Sequence, residues 1–269
     1  MTVGQTQRVQ HPPPGPDDRA DRADRVRLLW TGGWDSSFRL LQLLLVEQRP
    51  VQPVYVLNAH RRSTPQELHA MAVMRTALAH RVADPALVAP TEVVVGVQFP
   101  PRPELVAMRA SVLESTWMGD QYVWLASTAE AHGWHGVELC LQAWEEGPPP
   151  LYRLLFADDR GTPTGHPGAQ LFSRFTLPLL GTTKGQMAQT AREHGFHDLL
   201  LRRWTCHDPL AGRSCGVCAP CTAAPREGLT WAPPALVQAR RAWRRARGVV
   251  RGAPASRTAA LPTSVPSAA

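Results

Sequence analysis

Between residues 26 and 205 the chain predicts an α/β fold, a parallel sheet covered by helices on both faces. Short, near-continuous apolar runs alternate there with longer stretches whose apolar residues recur at helical spacing. The runs are rich in Val and Leu, as strands buried on both sides must be. Size agrees: 269 residues, 43% of them hydrophobic, can bury a core without disulfide staples.

In chain order, Val26–Trp30 reads as the first strand. A helix over Ser36–Glu47 follows, with Phe38, Leu41, Leu44 and Leu45 along one stripe. Val51–Leu57 is the second strand and Pro65–His80 the second helix. Glu92–Val97 is a third strand, ending in a Pro-rich turn. Gln121–His132 reads as a helix, Gly136–Leu141 and Phe175–Leu180 as strands, and Lys184–His194 as a helix closed by Gly195. Residues 1–25, with three consecutive prolines and interleaved Asp and Arg, offer little to bury and are expected to be disordered. The small, polar stretch 252–269 is expected to behave likewise.

Formal net charge is +7, but six arginines fall between Arg240 and Arg251, so the remainder is nearly neutral. Basicity is a property of that tail, which could form a basic helix and touch RNA or a polyphosphate; a solvated end explains it as well. The first residues lack the apolar core of a signal peptide, and Leu40–Val46 is too short to span a bilayer. A cytosolic protein is expected.

The strongest local motif is Thr31-Gly32-Gly33-Trp34-Asp35-Ser36-Ser37, where strand passes into helix. Two glycines allow a tight turn and close approach of backbone N–H groups. The hydroxyls of Thr31, Ser36 and Ser37 add donors, and the helix start favours an anion. Neither GxxxxGK[ST] nor GxGxxG is present. Asp35 could support Mg²⁺ or simply place a negative charge in the first helical turn. Asn58, at the end of the second strand, could meet the nucleoside of a bound nucleotide, as could His60. Lys184, at a strand-to-helix turn, could contact phosphate. Glu145 and Glu146 could face a substrate or lie in a solvated loop.

Four of the five cysteines, Cys206, Cys215, Cys218 and Cys221, follow a C-x8-C-x2-C-x2-C pattern. Four thiolates on tight knuckles suit a closed, structural Zn²⁺ site. An iron–sulfur cluster takes the same ligands, and redox-active thiols are a third reading. Cys140 is left as a buried free thiol, and His207 as a neighbour of the first ligand.

Thr31–Ser37 resembles the SGGxDS signature of the PP-loop ATP pyrophosphatase superfamily, with Thr31 for the first serine. Together with the cysteine pattern, it resembles the 7-cyano-7-deazaguanine synthase (QueC-like) branch. The likeness continues through Pro178–Met187, similar to that family's P-L-x-x-x-[ST]-K-x-E-[IV] run, and through Trp204-Thr205-Cys206. His60–Glu67 is loosely similar to its Q-R-H…E stretch. Trp117–Gln121 stands where the family has P-x-R-N, Leu141–Gly147 where it has G-x-N-x-x-D, and Gln186 where it has glutamate.

The resemblance implies a Rossmann-like sheet of PP-loop type (residues 26–205) and a four-cysteine zinc knuckle (206–235); residues 236–269, beyond its reach, are expected to form a basic helix and a disordered tail. It implies ATP held by Thr31, Gly32, Gly33, Asp35, Ser36, Ser37 and Asn58. Asp35 and Lys184 would serve catalysis, with Mg²⁺ as cofactor, and a homodimer follows by analogy. The reaction implied is adenylation of a small carboxylate, amide or heterocycle, then displacement of AMP by ammonia or another amine. A tRNA-modifying enzyme of the same superfamily and a non-catalytic nucleotide-binding module are the competing readings.

Overall fold

A computed structural model describes residues 25–58, 61–96 and 101–223, and five positions between 235 and 243. The expectations for residues 1–24, His60 and the arginines from Arg240 to Arg251 lie outside the described residues. No helix among the described residues is long and apolar enough to cross a membrane.

The described residues build a five-stranded parallel sheet from β1 (Val26–Leu29), β2 (Val51–Leu57), β3 (Glu92–Val95), β4 (Val137–Glu138) and β5 (Phe175–Thr176), in the order β3-β2-β1-β4-β5. The α-helices are α1 (Trp34–Leu41), α2 (Thr64–Leu78), α3 (Pro103–Leu113), α4 (Gln121–Ala131), α5 (Pro150–Leu155), α6 (Lys184–Glu193), α7 (His197–Leu200) and α8 (Ala219–Ala223).

Side chains along β1 alternate between two cores. Leu28 and Trp30 pack with Phe38, Met71, Met187 and Phe196 under α1, α2, α6 and α7. Leu29 packs with Val123, Val137, Leu155 and Phe172, under α4 and α5. A strand greasy on both sides therefore sits at the centre of the sheet, as period-two geometry requires.

Three local details differ from expectation. The helix after β1 is α-helical only to Leu41 and widens into a π turn over Gln42–Val46, with Glu47 N–H bonding the Gln42 carbonyl at 3.0 Å. β4 and β5 are two-residue ladders where six-residue strands were expected. Gly136 at φ 65° breaks the extended run before β4, and Pro178 brings no N–H to a longer β5. Helices α3 and α5 were not anticipated; each starts with a proline at its first turn, directly after a proline-rich turn.

One ion network ties the π turn to the sheet. Arg39 donates Nε to Glu138 Oε2 at 2.7 Å and Nη2 to Oε1 at 2.8 Å, while Nη1 reaches Gln42 and Glu47. Burial alone would lower the basicity of Arg39, but hydrogen bonds and charge from Glu138, then Glu47, outweigh it and raise the pKa. Glu138→Ala leaves this buried guanidinium half paired. We expect a loss of about 3 kcal/mol in chemical denaturation, the low end for a broken buried pair because Glu47 remains. A change within experimental error would show that the network contributes little.

Candidate functional site

Strand order reverses between β1 and β4: the chain runs outward through β2 and β3, then returns to the other side of β1. Open parallel sheets bind ligands in the crevice that this reversal leaves at the carboxyl ends of the strands. Thr31–Ser37 follows β1 directly at that point, and Leu139–Glu145 follows β4.

The loop is shaped by glycine. Gly32 takes φ 67°, and a Cβ there would lie 2.9 Å from Met71 Cγ and 3.1 Å from the Glu67 carbonyl oxygen of α2. Gly33 is the N-cap of α1 in an extended conformation, and no side chain caps that end. A glycine N-cap brings no side chain of its own to that helix start. Ser36 Oγ turns back to the Thr31 amide at 3.3 Å and the Thr31 hydroxyl at 3.4 Å. Ser37 is fully buried, and its hydroxyl accepts the Trp30 indole N–H at 3.0 Å, so it anchors the base of the loop.

Asp35 is half-buried in the first turn of α1. Burial first, then its negative charge among others, pushes up the Tyr122 and Tyr152 phenols and the Cys140 thiol. Cys140 is half-buried at the end of β4, packs on the first core and stays protonated, the opposite of an activated nucleophile.

Asn58 ends β2, where its carbonyl accepts the Arg61 amide at 3.0 Å. Arg61 itself is held by Glu67, with Nε donating to Glu67 Oε1 at 2.7 Å. Glu67 is 3% exposed and also accepts from Ser63 at 2.7 Å and Tyr55 at 2.8 Å. Burial, countered by Thr64 and reinforced by Glu67, pushes Tyr55 up to about 12. Lys184 opens α6, and unlike α1 this helix is fully capped. Thr183 and Gln186 form a reciprocal capping box, and Glu145 accepts the Gly185 N–H at 2.8 Å. Any role for Lys184 toward an anion therefore falls to its ammonium group, since the amides around it are taken.

Cys206, Cys215, Cys218 and Cys221 come together with their sulfurs within 4.8 Å of one another. A tetrahedron of ~2.3 Å metal–sulfur bonds has edges of ~3.8 Å, and Cys218 Sγ lies 3.9 Å from Cys206 Sγ. Backbone N–H groups of Cys215, Val217 and Cys218 point at these sulfurs over 3.1–3.4 Å, and Gly216 makes the knuckle turn at φ 71°. Hydrogen bonds among the sulfurs lower the pKa of Cys218 and raise those of Cys206 and Cys221. Four sulfurs this close could hold a metal ion, which would allow all of them to ionise.

The cluster is not remote from the loop. The Trp204 amide donates to the Gly32 carbonyl at 2.8 Å, and the Trp204 indole N–H donates to the Cys206 carbonyl at 2.7 Å. Arg203 stacks over Trp34 at 5.0 Å, and Arg62 pairs with Asp208 at 2.6 Å. Partial desolvation, then the charges of Arg61 and Lys184, lower the basicity of His207, while Cys218 and Glu67 raise it. His207 thus stands within electrostatic reach of both motifs.

Sequence reasoning passed over Arg61, Tyr122, Tyr152 and the place of His207. Only Arg61 left a trace, as a basic residue between the end of β2 and the acidic first turn of α2. Gly32→Ala forces a left-handed β-carbon onto α2 backbone and should cost about 1–3 kcal/mol in thermal or denaturant unfolding. Unchanged stability would mean the turn relaxes freely.

No protein-family model matches the chain, and neither a curated protein nor a solved structure matches it.

Proposed function

We propose that the chain is an ATP-dependent, AMP-forming enzyme of PP-loop, QueC-like type. The observation that carries the reading is the glycine-lined turn into α1 at the reversal of strand order. Two adjacent glycines, the hydroxyls of Thr31 and Ser36 and the dipole of the helix together make a seat for the pyrophosphate portion of a nucleotide.

In this reading Thr31, Gly32, Gly33 and Ser36 cradle the β- and γ-phosphates, and Ser37 braces the cradle from beneath. Lys184 and Arg61 approach from the neighbouring loops and offset negative charge as it shifts to the leaving group. Asn58 borders the nucleoside. Mg²⁺, when bound, neutralises phosphate charge, and Asp35 is the carboxylate that would hold it. An acceptor oxygen attacks the α-phosphorus, the bond to the bridging oxygen breaks, and pyrophosphate departs. Ammonia or another amine then attacks the activated carbon, a C–N bond replaces the C–O bond, and AMP leaves with loss of one proton from the nitrogen.

The four cysteines serve a structural Zn²⁺ in this reading, since four sulfurs leave no open position for water or substrate. Its effect on the reaction is indirect, through the hydrogen bond between Trp204 and Gly32.

Calorimetric titration with Mg²⁺-ATP tests the seat. Gly33 has φ −76°, so alanine there is conformationally allowed, and its Cβ would meet only the Thr31 hydroxyl at 3.3 Å and the Trp204 carbonyl at 3.7 Å. Gly33→Ala should keep the melting temperature and weaken ATP at least ~tenfold, about 1.4 kcal/mol. Equal affinity in the variant, or no ATP binding by the wild type, overturns the reading. Pyrophosphate release with candidate acceptors then separates an enzyme from a module that only binds nucleotide. For the metal, elemental analysis should find about one zinc per chain. Its removal by chelator should lower both the melting temperature and ATP affinity, because Trp204 loses its anchor. Iron with visible absorbance would replace zinc by a cluster.

A further inference from the structure

Beside Lys184 lies a cavity of 430 Å³, within the range of small-molecule sites. Trp144, Tyr152 and Phe156 form its aromatic side, and Glu145, Asp158 and Asp159 bring carboxylates to it. Thr183 and Gln186, on either side of Lys184, complete the lining, so the cavity adjoins the start of α6.

We propose that this cavity receives the acceptor, and that it selects a flat aromatic ring with a positively charged or N–H-donating edge over an anionic acid. The inference rests on the adenylation reading for the word acceptor; the ligand chemistry stands on the cavity alone.

Two glycines show how the carboxylates come to be there. A Cβ on Gly181 would lie 2.7 Å from Asp159 Cβ and 2.9 Å from its Oδ2. A Cβ on Gly185 would lie 3.1 Å from Glu145 Oε1 and 3.3 Å from Oε2. The backbone on either side of Lys184 is thus left bare where an acidic side chain rests on it. Asp158 is spent locally, accepting from Thr162 and from the Arg160 amide. Glu145 caps Gly185 through Oε1, and Asp159 makes no ion pair among the described residues. Arg153 is the cation in the lining, against three carboxylates. An anionic ring entering here meets like charge. A cationic ring gains charge-assisted hydrogen bonds and a face of Trp144, which is 51% exposed.

Benzamidine and benzoate are flat rings of matching size and opposite charge. Ligand-observed saturation-transfer NMR on the full chain should show benzamidine bound and benzoate not. In the double variant Glu145→Gln with Asp159→Asn, benzamidine should weaken by ~tenfold or more, the loss expected for a charge-assisted bond. Benzoate binding as well as benzamidine, or a folded double variant with unchanged affinity, overturns the proposal; the wild-type contrast decides it even if the variant fails to fold. Mg²⁺-ATP titrated in parallel separates the two claims. Benzamidine binding without ATP binding keeps the cavity's chemistry and removes adenylation. ATP binding without benzamidine binding removes the cavity's assignment alone.

Discussion

The carboxyl edge of the sheet depends on the turn at Gly32. The residue carries a left-handed backbone conformation, lies against α2 with no room for a side chain, and gives its carbonyl to the Trp204 amide. Three elements distant in sequence meet on one peptide unit: the end of β1, the first turns of α2 and the segment leading to the cysteines. Turning that carbonyl elsewhere would undock the cysteine segment and re-aim the first amides of α1 together. Loop geometry and C-terminal anchoring are therefore one constraint.

At α6 a capping box and a carboxylate from a distant loop cover the first turn, whereas the N-cap of α1 is a glycine with no side chain to offer. Arg61 and Lys184 both lower the basicity of His207, on the side of the cysteines. Glu145 and Asp159 lie toward α5.

Much of this was legible in the residues, for identifiable reasons. β1, β2 and β3 are apolar over several consecutive positions, and α1, α2, α4 and α6 carry enough turns for their extents to show. β4 and β5 were overestimated because a buried apolar run continues past the paired residues: Leu139 and Leu141 stay buried beyond β4, and Pro178 brings no N–H to a longer β5. α3 and α5 were hidden by the prolines that begin them, since a proline cluster reads as a turn until the residues behind it are counted. The glycine turn and the cysteine spacing could be read locally because both are short-range geometry. Contacts over long separations could not: Glu145 on Gly185, Trp204 on Gly32 and Arg39 on Glu138 depend on strand order, which the sequence does not print. Ser37 shows the limit most clearly. Its hydroxyl belongs to the motif by position, yet β1 brings Trp30 against it and turns it inward.

The cysteine segment has little else to hold it. Around Cys206, Cys215 and Cys221, the apolar neighbours are Trp204 and Val217, far fewer side chains than either main core supplies. A metal ion on the four sulfurs would take the place of such a core and fix the path from Cys206 back to Trp204. The knuckle would then be felt at Gly32, one hydrogen bond from Trp204, so the turn into α1 and the cysteine segment share one anchor.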